Sequence, residues 1–335
     1  MRLLGSIVLA AAVSAAIHGQ PAATLTTEQL LTDRLGVSAA DVAKFAAGNV
    51  VVWPVPPTAD NEVAAAGAIR AKGDLRRIVA WLRDIEAFMR AAGTENVGAI
   101  ANPATAADFA RVNLDDVDFT DLKSCRPGKC EIRMPASFMD RFQKDVAWTS
   151  GSAQSQAAAL SRTLVAEYVA AYQKGGDAAL AAFHNGTTTP DTNEFQDLLR
   201  RSVKVWELAH PFVSYLETYP AAAPEGTESR FYWTRDKAGR KPTLTLHHAL
   251  LQQLPGGRVL VADKQFYASR QIDAAVMIAF GVPNADKSFD LVVSVKARSG
   301  AIGGVAGKVL RGRIDKEMRE GLEIYLRWLR DSAAL

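Results

Sequence analysis

The sequence predicts an α+β fold in which a curved antiparallel sheet of about five or six strands grips a long C-terminal helix. Three observations carry this prediction. From residue 229 the apolar residues recur at every second position, which is the period of a half-buried strand. Residues 309–331 instead repeat their apolar positions at helical spacing. Residues 135–220 form a helical block that is inserted ahead of the strands.

The strands after residue 229 are predicted to form hairpins, which gives about five antiparallel strands in sequence. In "TLTLHHALLQQLPGGRVLVADKQFYAS" two apolar runs meet at Pro255 to Gly257, a sequence typical of a turn. A second pair turns near Pro283 and Asn284. The last strand of that pair has five apolar residues on one face: Phe289, Leu291, Val293, Val295 and Ala297.

The C-terminal segment "VLRGRIDKEMREGLEIYLRWLRD" is a strongly amphipathic helix. An amphipathic helix buries its apolar stripe against a neighbouring apolar surface, so we expect this helix to pack on the sheet. The opposite side is rich in Arg, Lys and Glu. The stripe consists of Leu310, Ile314, Met318, Leu322, Tyr325 and Leu329.

The N-terminal third supplies the remaining predicted elements. Residues 61–71 can form a strand, and residues 74–91 have one apolar helical face that Gly93 ends. Ser38 is placed to cap an earlier short helix. Residues 94–134 are polar and are expected to be extended.

Composition and the N-terminus indicate an exported globular protein. Hydrophobic residues make up 48% of the 335 residues and charged residues 22%. The formal charge of +3 is too small to indicate a basic surface that binds nucleic acid. Residues 1–22 resemble a secretory signal peptide, with an uncleaved anchor as the alternative. We therefore expect residues 23–335 to form one soluble domain in the periplasm or outside the cell.

The two cysteines lie in "SCRPGKC". Outside the cytoplasm such a pair favours a disulfide, and Pro127-Gly128 is a turn sequence that brings Cys125 and Cys130 together. A redox dithiol or half of a metal site are the alternatives. The four-residue spacer disfavours the first, and the lack of a second ligand pair nearby disfavours the second. We expect no metal and no cofactor.

The order of elements resembles the helix-grip fold of START-like ligand-binding proteins. Residues 61–91 match the opening strand and helix of that superfamily, and residues 229–330 match its later strands and gripping helix. The resemblance implies an apolar cavity between the sheet and the C-terminal helix that holds a lipid or other apolar molecule without catalysis. The stretch "FYWTRD…KP…HH…KQFYAS" also resembles exported bacterial proteins.

Two neighbouring histidines are candidate site residues. Because neighbours on a strand point to opposite faces, His247 and His248 are not expected to bind one metal without a bulge. His248 shares its face with three leucines, where it can anchor a ligand head group or act as an acid or base. The alternative is a structural histidine in the core whose ring donates a hydrogen bond to a neighbouring carbonyl.

Aromatic and basic residues on the sheet complete this candidate set. Trp233 and Tyr267 lie in two aromatic stretches and are expected to contact the ligand, with cross-strand packing as the alternative. Arg298 is a third candidate, and it is expected to form ion pairs along the sheet with Lys264 and Asp263.

The loop "ARSGAIGGVAGK" joins the last strand to the C-terminal helix. It is neither a Walker loop nor a dinucleotide-binding loop, because the spacing is wrong and Val309 follows the lysine. Lys308 and Arg311 can attract a lipid head group or a membrane surface, or they are a solvated helix face.

No hydrolase signature is present in the sequence, so no residue is assigned a catalytic role. The first hypothesis is a protein that binds an apolar or amphipathic small molecule. The alternatives are a periplasmic hydrolase that uses His248, since a triad is defined by geometry and not by sequence order, and an envelope interaction protein that docks through residues 135–220.

Overall fold

A computed structural model describes residues 26–180, 183, 193–200, 210–236 and 241–333. Its centre is one open sheet of eight antiparallel strands. The strands are β1 Val51–Pro54, β2 Glu62–Lys72, β3 Val97–Ile100, β4 Thr227–Asp236, β5 Thr243–Gln253, β6 Val259–Ala268, β7 Ala274–Pro283 and β8 Ser288–Arg298. Their order across the sheet is β1-β2-β8-β7-β6-β5-β4-β3.

The predicted α+β class and antiparallel sheet are confirmed, but the count of five or six strands is wrong. The strand at 61–71 is β2, and the five strands predicted after residue 229 are β4 to β8. The two extra strands, β1 and β3, have four residues each and form the two edges of the sheet. Four residues are too few for a period of two to stand out.

The helices flank the sheet. They are α1 Thr27–Gln29 with the π-helical continuation Leu30–Arg34, α2 Ala39–Ala46, α3 Leu75–Arg83, α4 Ile85–Ala91, α5 Asp116–Ser124, α6 Ala136–Asp145, α7 Ala153–Gly175, α8 Asn193–Arg200, α9 His210–Thr218 and α10 Gly304–Ala333. As predicted, Ser38 caps α2 by accepting a hydrogen bond from the Asp41 amide.

Two predictions for the N-terminal third are wrong. Residues 74–91 form two helices, since the backbone leaves the helical region at Asp84, whose side chain caps α4 through the Ala87 amide. Residues 94–134 are not simply extended, because they contain β3 and α5. The charged turn Asp115 to Asp118 starts α5, with the Asp115 side chain accepting from the Asp118 amide.

The C-terminal helix α10 packs on one face of the sheet, together with α3 and α4. Its buried residues Leu322, Leu326 and Leu329 lie against β2 and its neighbours. A Cβ atom at Gly67 would come within 2.5 Å of the Leu326 side chain, so glycine permits the close approach. The predicted stripe is buried only in the second half of the helix, since Leu310 is 42% exposed.

The helical block packs on the opposite face. There α7 covers part of β4 to β6, and α8 and α9 cover part of β6 and β7. The ladder between β5 and β6 shifts register beside Phe266, so that both Phe266 and Tyr267 pack against α7. A bulge permits two consecutive residues to share a face in this way. The Phe266 ring stacks on Tyr172 with centroids 4.0 Å apart.

A disulfide joins Cys125 to Cys130, which is the pairing that the sequence predicts. Arg126 and Lys129 exchange two backbone hydrogen bonds, and Gly128 between them has a φ of 78°. The bond fits an oxidising compartment outside the cytoplasm. The predicted signal peptide, residues 1–22, lies outside the described residues. Within the described ranges, no helix is long and apolar enough to cross a membrane.

Candidate functional site

An apolar pocket opens between the helical block and the ends of β5 and β6. It encloses about 790 Å³ of empty space when its open mouth is included. Its lining is mainly aliphatic and aromatic. The side chains that form most of its walls include Phe138, Phe142, Leu164, Val165, Leu246 and Tyr267.

Helix α7 forms one wall through a stripe at helical spacing. Ser161, Val165 and Tyr168 line the pocket at positions i, i+4 and i+7, which share one helix face. Tyr168 continues into the aromatic cluster against the sheet, where its ring centroid lies 5.4 Å from that of Tyr267. The pocket therefore borders the aromatic cluster that lies between α7 and the sheet.

The segment that follows the disulfide forms another wall. The Arg133 amide donates to the Ser269 carbonyl at 2.9 Å, and the Tyr267 hydroxyl donates to the Arg133 carbonyl at 2.9 Å. The Arg133 guanidinium also forms an ion pair with Asp273, and both side chains are mostly buried. These bonds fix residues 132–135, all of which line the pocket, to the end of β6.

Most of the charged groups in the lining have partners of opposite charge. The Asp118 carboxylate forms ion pairs with Arg235 and Arg270, each at 2.7 Å. Arg162 differs, because no carboxylate or hydrogen-bond acceptor contacts it within the part of the chain that the structure describes. It is half-buried on α7 and lines the pocket.

The space beneath α10, where the resemblance places a cavity, is smaller. It encloses about 450 Å³ including its open part, against about 790 Å³ for the pocket beside the helical block. Leu75, Ile78 and Leu82 of α3 line this space, together with Tyr325 and Leu329 of the helix. The larger apolar pocket therefore lies on the other face of the sheet.

His248 lies in the core beneath α7 and is fully buried. Its Nδ1 atom lies 3.1 Å from the Tyr172 hydroxyl, and its Nε2 atom lies 2.5 Å from the hydroxyl of the exposed Ser229. Burial, together with the charge of Lys264, lowers the pKa of His248 to about 3. The imidazole is therefore neutral at ordinary pH.

His247 points to the opposite face, as the alternation of a strand predicts. Its Nδ1 atom lies 3.0 Å from Asp263, and its Nε2 atom lies 2.8 Å from the Thr245 hydroxyl. The Tyr232 ring stacks on it at 4.5 Å, and the Tyr232 hydroxyl donates to Asp263. The two histidines thus belong to separate polar clusters.

The remaining sequence-predicted site residues do not converge on one place. Tyr267 lines the large pocket. Trp233 is buried, and its indole donates to the Asp108 carbonyl at 2.9 Å. Lys308 is exposed at the start of α10, and Arg311 donates to the Asp60 carbonyl.

The predicted ion pairs among Arg298, Lys264 and Asp263 are wrong. Arg298 pairs with Glu62 at 3.0 Å and with Asp197 at 2.9 Å. Lys264 pairs with Asp177 from the helical block, and Asp263 lies on the other face because it is the neighbouring residue on β6. The partners come from segments that strand periodicity does not reveal.

Sequence reasoning missed the pocket residues on the helical block, above all Arg162. One signal was present. Residues three and four positions away from Arg162 are Ala158, Ala159, Val165 and Ala166, so its own helix offers no acidic partner. An arginine in such a setting faces either solvent or a ligand.

Among the described residues, no group of three or more His, Cys, Asp or Glu side chains is placed to hold a metal ion. No protein-family model matches the chain, and neither a curated protein nor a solved structure matches it.

Proposed function

We propose that this protein binds a lipid or another apolar or amphipathic small molecule, without catalysis, in the pocket between α7 and the ends of β5 and β6. The supporting observation is the apolar lining of that pocket combined with an open mouth. Each methylene group that the pocket buries contributes about 0.8 kcal/mol, before the cost of ordering the ligand is subtracted.

The sequence places the ligand under the C-terminal helix, and the proposal moves it to the opposite face. The reason is that the space under α10 is smaller than the gap beside the helical block. An exported location remains part of the proposal. The disulfide next to the pocket and the apolar N-terminal sequence both support it.

A neutral fluorescent probe tests this proposal. N-phenyl-1-naphthylamine should brighten when it enters the pocket of the purified protein. Val165→Trp, which fills the pocket from α7, should remove at least about nine-tenths of that signal by steric exclusion. The matched control is Ala159→Trp, on the exposed side of the same helix, which should bind as the wild type does. Equal binding by all three proteins would refute the proposed site.

A second candidate function is ester hydrolysis, and the contact between Ser229 and His248 favours it. A serine hydroxyl at 2.5 Å from an imidazole is within reach of a general base. Ser229 Oγ would attack the ester carbonyl and pass its proton through His248 to the departing alcohol, and water would then release the acid. The low pKa of His248 makes it a weak base, so this candidate ranks second.

Because Ser229 is exposed, replacing it tests the second candidate with little effect on the fold. Wild-type protein is incubated with p-nitrophenyl acetate, and release of p-nitrophenol is compared with that of Ser229→Ala. Loss of turnover in the variant supports hydrolysis. Equal rates in both proteins, or no turnover above buffer, remove it. Tyr172→Phe is a further control, because it leaves Ser229 and His248 in contact while removing the second imidazole partner.

A further inference from the structure

The lining of the pocket is mainly apolar, and one of its charged side chains has no ion-pair partner among the described residues. Asp118, Arg133 and Arg235 all line the pocket, and each of them forms an ion pair with a protein group. Arg162 is the exception among the described residues. The other charged side chains of the lining are thus neutralised within the protein, and one guanidinium in the lining is not.

Nothing on its own helix can neutralise Arg162. The side chains within reach along α7 are those at i±3 and i±4, and all four are Ala or Val. The nearest acidic residue along the helix, Glu167, is instead held by Arg141 of α6 at 2.5 Å. Arg162 therefore keeps its planar set of donors available for a group that enters from outside.

We infer that the ligand is a long-chain amphipath with an oxyanion head, a carboxylate or a phosphate, whose head binds Arg162 while its chain enters the pocket. This inference rests on the proposed function and names the ligand class of the same site. A guanidinium pairs with two coplanar oxygen atoms through two parallel hydrogen bonds, which a hydroxyl head cannot provide. Ser161, the residue before Arg162, also lines the pocket and offers a hydroxyl to the same head group.

The geometry also explains why the charge is tolerated. Arg162 is half-buried, so its guanidinium stays hydrated while the pocket is empty. When a chain enters, the mouth loses water and the charge becomes costly unless an anion accompanies the chain. An anionic head therefore gains more from this position than a neutral one of the same length.

Calorimetric titration at pH 7.5 with decanoate, decyl phosphate and decan-1-ol tests the inference. We expect the wild type to bind at least one anion about ten times or more tightly than the alcohol. Arg162→Met, which keeps the length of the side chain and removes the charge, should weaken anion binding about 10- to 100-fold and leave decan-1-ol within about twofold. Comparison of decanoate with decyl phosphate identifies the preferred head.

Lys144→Met is the matched control, since it removes an exposed charge from the same helical block outside the pocket lining. It should leave all three affinities unchanged. If the alcohol binds as tightly as both anions, or if Arg162→Met weakens the alcohol as much as the anions, the assignment of the head group is wrong while the pocket stands. If no amphipath binds and N-phenyl-1-naphthylamine also fails to bind, the proposed pocket itself is refuted, and the head assignment with it.

Discussion

Lys264 and Asp177 form an ion pair of 2.7 Å between the sheet and the helical block, and the lysine is fully buried. The ammonium also lies 4.0 Å from the centroid of the Phe195 ring. Burial lowers the pKa of Lys264, whereas Asp177 acts to raise it. The pair therefore connects the turn that follows α7 to the centre of β6, and Phe195 of α8 lies against the buried ammonium.

Removing the carboxylate should destabilise the protein strongly. Asp177→Asn leaves the buried ammonium without its anion, so we expect the free energy of unfolding to fall by about 3 kcal/mol or more. The double variant Lys264→Met with Asp177→Asn should recover a large part of the loss, because no unpaired charge remains. Urea denaturation of the wild type, both single variants and the double variant measures this coupling. Purely additive losses would show that the two groups do not interact.

The buried imidazole predicts a specific dependence of stability on pH. The pKa of His248 is about 3 in the folded protein, below the ordinary value of 6.5, so between these values the unfolded chain binds a proton that the folded chain excludes. The contribution of His248 is fully present above about pH 6.5 and is lost as the pH falls toward 3, by up to about 1.4 kcal/mol for each pH unit.

The contribution of His248 can be separated by comparing how steeply the stability of variants depends on pH. The free energy of unfolding, measured by urea denaturation between pH 7 and pH 4.5, should fall less steeply in His248→Phe than in the wild type. Tyr172→Phe should retain the wild-type slope, since it removes a hydroxyl from the cluster and keeps the imidazole buried. Parallel slopes for His248→Phe and the wild type would contradict the assignment of a neutral, buried histidine.

The fold was predictable wherever one segment carried a long, regular pattern. Strands β4 to β8 have ten or eleven residues each, so their period of two is clear, whereas the four residues of β1 and β3 show no period. The break at Asp84 was hidden for a related reason. Ile85 and Phe88 continue the apolar face of α3 past the break, so the pattern resembles a single helix.

The pocket was not predictable because its walls are distant in the chain. Phe138, Val165 and Leu246 come from three elements, and periodicity shows that each is buried without showing that they meet around a gap. The helix-grip resemblance instead predicts a cavity under α10, which lies on the other face of the sheet. The opposite orientation of His247 and His248 was predictable from the sequence, because it depends on one strand alone.

Removing the disulfide should lower stability and spare the pocket. Its closed loop is short, so the chain-entropy model assigns it about 2 kcal/mol. The adjoining wall has its own attachments, the Arg133 amide to Ser269 and the Arg133 guanidinium to Asp273. Cys125→Ala with Cys130→Ala should therefore lower the free energy of unfolding by about that amount and keep N-phenyl-1-naphthylamine binding within about twofold. Loss of binding in a folded double variant would mean that the disulfide itself holds the wall.

The first turns of α10 should contact an anionic membrane surface. Val305 and Val309 are 93% and 86% exposed, and residues 304–314 contain three basic side chains and no acidic one. Exposed apolar residues among cations favour the interface of an anionic bilayer. We expect the protein to sediment with phosphatidylglycerol vesicles and not with phosphatidylcholine vesicles. Val305→Asp with Val309→Asp should weaken this binding about tenfold, since each added negative charge opposes the surface potential.

A control from the same helix separates this contact from a general effect of acidic substitution. Ile324 is 69% exposed, but it lies next to Glu323 and far from the basic turns. Ile324→Asp should therefore leave vesicle binding unchanged. Equal weakening by both substitutions would show that net charge governs binding, and equal binding to both kinds of vesicle would exclude an electrostatic contact. Because the mouth of the ligand pocket lies on the other face of the sheet, Val305→Asp with Val309→Asp should also leave decanoate affinity unchanged.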